Sequence, residues 1–235
     1  MNLILLFPED FIDTTRVRLH GRRLKHVLEV HRAQAGDELV VGLLNDQIGI
    51  CKVTLLDAAA MEMDVQLRQE PPAALPATLI LALPRPKVLK RVIRSAAVLG
   101  VKKIVLLNAY RVEKSYWSSP VLSPESLREH LVIGLEQSRD TVLPEVLLRP
   151  LFKPFVEDEL PGLSQGTLSL VAHPGSPAAC PRSVRGPVTL AIGPEGGFIP
   201  YEIDKLRAAG FSAVNCGERI LNVETAVPTL LARLF

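Results

Sequence analysis

Three short segments near the carboxyl end combine residue types and spacings that could bind a small ligand. They are residues 173–175 (His-Pro-Gly), 193–198 (Gly-Pro-Glu-Gly-Gly-Phe) and 217–226 (Gly-Glu-Arg-Ile-Leu-Asn-Val-Glu-Thr-Ala). Glycine allows a backbone to approach a ligand closely, so these segments could recognise a bound molecule through main-chain groups. The alternative for residues 193–198 is an ordinary turn between a strand and a helix.

The third segment is unusual because Ile220 and Leu221 are bulky and apolar in a connection between two elements. They could form an apolar slot against a flat ligand such as adenine, or they could simply pack in the core. Thr225 could cap the helix that follows or point at a ligand. The sequence has no GxGxxG motif and no phosphate-loop lysine, so a Rossmann dinucleotide site and a P-loop are both unsupported.

The three segments lie in a part of the sequence where near-continuous apolar runs, typical of buried strands, alternate with helical patterns. Such a pattern predicts an α/β fold, with a parallel sheet that carries helices on both faces. Ligands of such sheets bind beyond the carboxyl ends of the strands, where the three segments lie. The predicted strands are 78–84, 103–108, 167–172, 188–192 and 211–216, and the predicted helices are 87–99, 124–139, 200–209 and 223–235.

The first 70 residues have a different pattern of short strands separated by turns. This pattern predicts a small β-barrel, with one helix near residues 24–30. The proline-rich and charge-poor stretch 71–77 predicts a stiff linker. We therefore expect an amino-terminal domain at 1–70 and a second domain at 78–235.

Basic charge is concentrated in two segments of the 235-residue chain, although 27 cationic and 25 acidic side chains leave a formal charge of only +2. Residues 16–32 hold six Arg or Lys against one acid, and residues 85–114 hold nine against one. This clustering is typical of a polyanion binder, although two solvated helix faces would give the same pattern.

The remaining composition argues against several classes of protein. The three cysteines, Cys51, Cys180 and Cys216, are widely spaced, which fits a reducing cytoplasm and offers no metal-ligand cluster. The apolar start is stopped by Pro8 and lacks a positive leader, so no signal peptide is predicted. No apolar run approaches the roughly 20 residues of a membrane helix.

The glycine segments resemble a known family. Residues 192–198 (Ile-Gly-Pro-Glu-Gly-Gly-Phe) and 217–226, about twenty residues further on, are similar to the RsmE family of 16S ribosomal RNA uridine-N3 methyltransferases, in the SPOUT superfamily. The resemblance implies a PUA-like amino-terminal barrel that helps to hold RNA, and a carboxy-terminal domain with a deep trefoil knot. It also implies S-adenosylmethionine as cofactor and a homodimer whose partner subunit helps to complete the RNA site.

The resemblance also assigns residues. Glu195 and the other matching positions would surround the cofactor; the predicted cofactor-binding residues are Ala172, His173, Pro174, Ile192, Gly193, Gly196, Gly197, Cys216, Gly217, Ile220 and Leu221. The phosphate contacts are predicted instead from the two basic segments, and they are Arg16, Arg18, Arg22, Arg23, Lys25, Lys87, Lys90, Arg91 and Arg94. Three positions depart from the family pattern, because Asn222, Asp140 and Glu29 stand where the family usually carries arginine.

Uridine N3 must lose a proton before it can attack a methyl group, and the resulting charge spreads onto the carbonyl oxygens. Arg219 is the predicted stabiliser of that charge, and Glu224 or Glu195 is predicted to orient the base or accept the proton. Glu224 could instead only cap its helix, and Arg219 could only pair with a carboxylate. Two other functions stay open, a SPOUT methyltransferase with another RNA target or acceptor atom, and a non-catalytic RNA-binding assembly factor.

Overall fold

The computed structural model of the chain describes residues 2–235 and divides into two compact units. One unit comprises the residues up to Ala73 together with Val132–Leu143, and the other comprises Ala74–Leu131 and Pro144–Phe235. Residues 132–143, which the sequence pattern predicts to lie in the second domain, therefore belong with the first. The reason is apolar packing, because Val132 and Leu135 are buried in one cluster with Leu3, Leu5 and Ile48.

The amino-terminal unit is built on a five-stranded sheet. Its strands are β1 Ile4–Leu6, β2 Arg16–Leu19, β3 Glu38–Leu43, β4 Ile48–Leu56 and β5 Met61–Gln69. Their order in the sheet is β1-β3-β4-β5-β2, in which β1 and β3 pair in parallel and the other neighbours pair antiparallel. Helix α1 Gly21–His26 continues into a π-helical turn Val27–His31, and a 3-10 turn covers Pro8–Asp10. In β5, Met61, Met63 and Val65 are buried, as the alternating sequence predicts.

The second unit contains a six-stranded sheet. Its strands are β6 Leu75–Ala82, β7 Val101–Leu107, β8 Glu145–Arg149, β9 Leu168–Ala172, β10 Val188–Ile192 and β11 Ser212–Val214. They all pair in parallel, in the order β11-β9-β10-β6-β7-β8. All five residues of β10 are buried, which is typical of a strand covered on both faces. The predicted α/β class with a parallel sheet is confirmed.

Helices connect most of these strands. They are α2 Pro86–Val98, α3 Pro124–Ser138, α4 Phe152–Pro154, α5 Leu160–Leu163, α6 Pro200–Ala208 and α7 Val223–Leu234. A π-helical turn Phe155–Glu159 links α4 and α5, and 3-10 turns cover Lys114–Ser118 and Pro120–Leu122. Helix α2 shows why the pattern works, since Leu89, Val92, Ile93 and Ala96 recur at helical spacing and are buried.

The structure differs from the sequence analysis in two parts of this unit. Strand β6 begins at Leu75, inside the stretch 71–77 expected to be a linker, because Leu75 pairs with Val101. The ladder is irregular between Leu75 and Thr78, where Pro76 can be tolerated. Strand β8 and the helical turns over 152–163 were not predicted. Within residues 2–235, no helix is both long enough and apolar enough to span a membrane.

Candidate functional site

The three glycine-containing segments meet at one cavity of about 400 Å³ in the second unit. They do so because β9, β10 and β11 are parallel and in register, with Ile192 and Val214 both opposite Ala172. Strand ends that share one edge bring their following loops together. Every residue predicted to bind the cofactor lines this cavity, namely Ala172, His173, Pro174, Ile192, Gly193, Gly196, Gly197, Cys216, Gly217, Ile220 and Leu221.

The loop after β10 is a tight turn that only glycine allows at its start. A Cβ atom on Gly193 would lie 2.9 Å from the backbone nitrogen of Phe198, closer than a real side chain permits. The Gly197 N–H donates to the Pro194 carbonyl at 2.7 Å and closes the turn. This geometry leaves the main chain of the loop directly against the cavity.

Glu195 lies in the same loop and lines the cavity. Its Oε1 accepts a hydrogen bond of 3.0 Å from the backbone N–H of Arg85, the residue that precedes α2. A carboxylate at a helix start is stabilised by the helix dipole. Glu195 thus ties the glycine loop to the start of α2 and also presents a negative charge at the cavity.

The loop after β11 supplies the apolar and cationic parts of the wall. Ile220 lines the cavity and is 82% exposed, which excludes simple core packing for its side chain, whereas Leu221 is half-buried. Arg219 also lines the cavity and is exposed, and no carboxylate among residues 2–235 forms an ion pair with it. The structure therefore gives Arg219 no ion-pair partner that would occupy its charge.

Glu224 takes a different place from the one expected of a proton acceptor. It does not line the cavity, and its two carboxylate oxygens lie 3.1 and 3.2 Å from Nη1 of Arg91. The cap of α7 is Asn222, whose Oδ1 accepts from the Thr225 N–H. Thr225 is therefore not the cap, and this geometry favours a structural role for Glu224 over an acid–base role.

Two further residues, one at the cavity and one buried behind it in the chain segment after the glycine loop, have roles that the sequence does not predict. Arg111 lines the cavity, and its guanidinium donates to the Gly196 carbonyl oxygen. Glu202 is buried, and its carboxylate accepts from the N–H of Tyr110 at 2.7 Å and from the N–H of Ile199 at 2.9 Å. A glutamate three residues after a helix N-cap is a known capping signal that could have identified Glu202. No local pattern would have identified Arg111.

The first predicted RNA-binding cluster is largely engaged in ion pairs within the amino-terminal unit. On β2, Arg16 pairs with Asp64 of β5, and Arg18 pairs with Glu62 of the same strand. Nζ of Lys25 lies 3.8 Å from Oε1 of Glu29. Arg22 donates to both oxygens of the buried Glu136, at 2.9 and 3.0 Å. Glu29 is thus an exposed partner of Lys25.

Arg23 is held inside the amino-terminal unit. Its side chain is only 14% exposed, and its guanidinium binds both oxygens of Asp10, which is itself buried, and the Leu5 carbonyl. It also lies over the Phe7 ring, 4.7 Å from the centroid. A side chain held in this way supports the fold. This geometry favours a structural role for Arg23 over a phosphate contact.

The second predicted cluster lies on α2. Lys87 and Lys90 are exposed, whereas Arg91 pairs with Glu224 and Arg94 is partly buried, with Nη2 3.2 Å from Nδ1 of His130. His130 is buried, and that burial lowers its pKa, with further lowering by the charges of Arg94 and Lys90. The exposed lysines are the clearest candidates for phosphate contacts on this helix.

A parallel α/β sheet whose strand-end loops surround a cavity of this size defines a class of domains that bind cofactor-sized molecules. A family model described as the RNA methyltransferase domain matches residues 71–235. The chain belongs to this RNA methyltransferase family, and within it to the ribosomal RNA small subunit methyltransferase E group. The family predicted from the two glycine motifs is thereby confirmed.

Named relatives match along nearly the whole chain. The ribosomal RNA small subunit methyltransferase E of Synechocystis is 30% identical, over 98% of this chain and 76% of its own length. The enzyme of the same name from Treponema pallidum is 29% identical, over 96% of this chain and 87% of its own. The crystal structure of the Neisseria gonorrhoeae enzyme, bound to S-adenosyl methionine, superposes with a TM-score of 0.76, at 22% identity, over 99% of this chain and 95% of that one.

Proposed function

We propose that the protein methylates N3 of a uridine in 16S ribosomal RNA of the small ribosomal subunit, with S-adenosylmethionine as methyl donor. The single observation that carries this proposal is the cavity, because every predicted cofactor-binding residue lines it in a chain that belongs to an RNA methyltransferase family. The names of the relatives support the small-subunit RNA as substrate. We further propose that the protein acts in the cytoplasm.

The cavity has the properties that the cofactor requires. Its volume of about 400 Å³ falls within the range of roughly 300–1,000 Å³ that is typical of small-molecule sites. Ile220 and Leu221 would cover the adenine ring, and the main chain at Gly193, Gly196 and Gly217 would accept or donate hydrogen bonds. When bound, the cofactor supplies a methyl group on an electrophilic sulfonium.

The chain's own residues would then orient and activate the uridine. Positioning the N3 atom in line with the methyl group is the main contribution to rate. Arg219, which is exposed at the cavity and has no ion-pair partner within residues 2–235, would stabilise the negative charge on the uracil oxygens. Of the two carboxylates considered, Glu195 lines the cavity and Glu224 does not. Glu195 would therefore accept or orient the N3 proton.

We also propose that the second unit is knotted and that the protein is a homodimer. Contacts between the β9–β10 connection and the end of α7 support the knot. The Val184 N–H donates to the Leu234 carbonyl at 2.6 Å, and Nε of Arg233 donates to the Cys180 carbonyl at 2.8 Å. The amino-terminal sheet would form the PUA-like barrel that helps to hold RNA.

The decisive experiment is mass spectrometry of 16S ribosomal RNA from a strain that lacks the gene. We expect one 3-methyluridine to disappear and to return on complementation with the wild-type gene, but not with Arg219→Ala. Calorimetry should show that the Arg219→Ala protein still binds S-adenosylmethionine. An unchanged nucleoside profile would contradict the proposed reaction, and methylation of a ribose hydroxyl would identify a different acceptor atom.

A further inference from the structure

Tyr110 presents a large aromatic ring to solvent beside the cofactor cavity. It is 79% exposed and follows β7 after Asn108 and Ala109. Residues 110–115 line an open surface pocket of about 560 Å³, and Arg111 lines both this pocket and the cofactor cavity. The pocket and the cavity are therefore adjacent at Arg111.

The main chain at Tyr110 is held firmly although its ring is exposed. The buried carboxylate of Glu202 accepts the Tyr110 N–H at 2.7 Å, and its other oxygen accepts the N–H of Ile199, directly after the glycine loop. Arg111 donates to the carbonyl of Gly196 in that same loop. Glu202 and Arg111 thus fasten the Tyr110 segment to the cofactor loop at two points.

The surroundings of the ring favour a nucleic acid over a protein partner. The segment 110–115 carries Arg111 and Lys114 against one acid, Glu113, so its charge is positive. The guanidinium of Arg111 has no bonded partner within residues 2–235 other than the Gly196 carbonyl, and its remaining N–H groups can meet a phosphate or a carbonyl oxygen. An aromatic ring beside a fixed cation is the usual surface on which a single base stacks.

We propose that Tyr110 and Arg111 form the binding site for the target nucleotide, with the ring of Tyr110 stacked on a base and Arg111 paired with its oxygens or phosphate. This inference rests on the proposed function. A base in folded RNA loses its neighbours when it is turned out toward an active site. The tyrosine ring would replace that lost stacking at the point where the base must stop, next to the cofactor cavity.

The test compares Tyr110→Ala, Tyr110→Phe and the control Tyr201→Ala. Tyr201 is also an exposed tyrosine, but the ammonium of Lys205 lies 5.8 Å above its ring. The substrate is small-subunit ribosomal RNA purified from a strain that lacks the gene. We expect Tyr110→Ala to lower kcat/KM for RNA by about 5- to 150-fold, as the loss of one stacked base would. Tyr110→Phe and Tyr201→Ala should stay within about twofold of the wild type, since a phenylalanine ring also stacks.

Two further measurements separate this inference from the proposed function. Calorimetry should give the same affinity for S-adenosylmethionine in all variants, and filter binding of the RNA without cofactor should weaken only for Tyr110→Ala. Wild-type kcat/KM and RNA affinity in the Tyr110→Ala protein would overturn the inference and leave the proposed function intact. So would dissociation of a dimer by Tyr110→Ala in sedimentation, because the ring would then contact a second copy. If the wild-type protein transferred no methyl group, the proposed function would fail, and RNA binding would still decide the role of Tyr110.

Discussion

Oδ1 of Asn222 accepts a hydrogen bond of 2.8 Å from the backbone N–H of Thr225 and so caps α7. The resemblance predicts an arginine at this position, and the structure shows what the asparagine of this chain does there. The helix that it caps supplies Val223, Ala226 and Leu230 to the wall of the cofactor cavity. Asn222 therefore sets the start of a helix that shapes the site.

Replacement of the cap should cost stability. We expect Asn222→Ala to lower the free energy of unfolding by about 1 kcal/mol, because one helix N–H loses its partner. Urea denaturation followed by circular dichroism measures the change, and Asn222→Asp is the matched control because aspartate caps equally well. If Asn222→Ala and Asn222→Asp unfolded at the same urea concentration, the capping role would be refuted.

The turn at Gly193 gives a sharper prediction for cofactor binding. We expect Gly193→Ala to weaken S-adenosylmethionine binding at least tenfold, because the added methyl group meets the Phe198 backbone and must displace the loop. Calorimetry measures the affinity. Gly162→Ala is the control, since a Cβ atom there would have nothing within 4 Å. Equal affinities for the two variants would show that the loop backbone does not contact the cofactor.

The sequence predicted the parts of the site that follow from local pattern. Apolar runs ending in glycine-containing loops identified β9, β10 and β11, and parallel pairing guarantees that such loops share one edge of the sheet. The three loops are therefore grouped by local pattern, whereas the individual cofactor-binding residues are predicted only by the family resemblance. The short strand β8 was missed because only its neighbour β7 shows where Glu145–Arg149 belongs.

Other parts depend on contacts between residues far apart in the chain. Glu202 reaches Tyr110 across 92 positions, and Arg111 reaches Gly196 across 85. Nothing near Arg23 in the sequence shows that its guanidinium will pair with the buried carboxylate of Asp10. A run of cationic residues looks the same in the sequence whether its side chains face solvent or pair with a carboxylate inside the fold. The sequence alone therefore does not show which members of the two basic segments are available to bind RNA.

This distinction can be tested by the salt dependence of RNA binding. Lys87 and Lys90 are exposed on α2. Lys87→Gln and Lys90→Gln should therefore each make the fall of log affinity with log salt less steep, by about one unit of slope. Arg23→Gln should leave the slope unchanged but lower the free energy of unfolding by about 3–5 kcal/mol, because Asp10 stays buried without its partner. Filter binding over a range of salt and urea denaturation measure the two effects. If folded Arg23→Gln protein showed a less steep salt dependence of RNA affinity than the wild type, Arg23 would be shown to contact RNA phosphate.

Burial of His130 makes the stability of the second unit depend on pH. Its pKa in the folded protein is lowered from the ordinary 6.5, first by burial and then by the charges of Arg94 and Lys90, while Glu129 opposes them. The unfolded chain therefore takes up the proton at a higher pH than the folded chain does. This contribution to stability is complete above the unfolded pKa and is lost as pH falls through about 6.5 toward the folded value.

The wild-type protein should consequently lose more stability than His130→Gln when the pH falls from about 7.5 to about 5.5. Urea denaturation at the two pH values gives the difference for each protein. The pKa of His26 in the amino-terminal unit is also lowered by burial, and because both proteins retain this histidine its contribution cancels in the comparison. The same loss of stability in both proteins would mean that His130 is protonated equally in the folded and unfolded states.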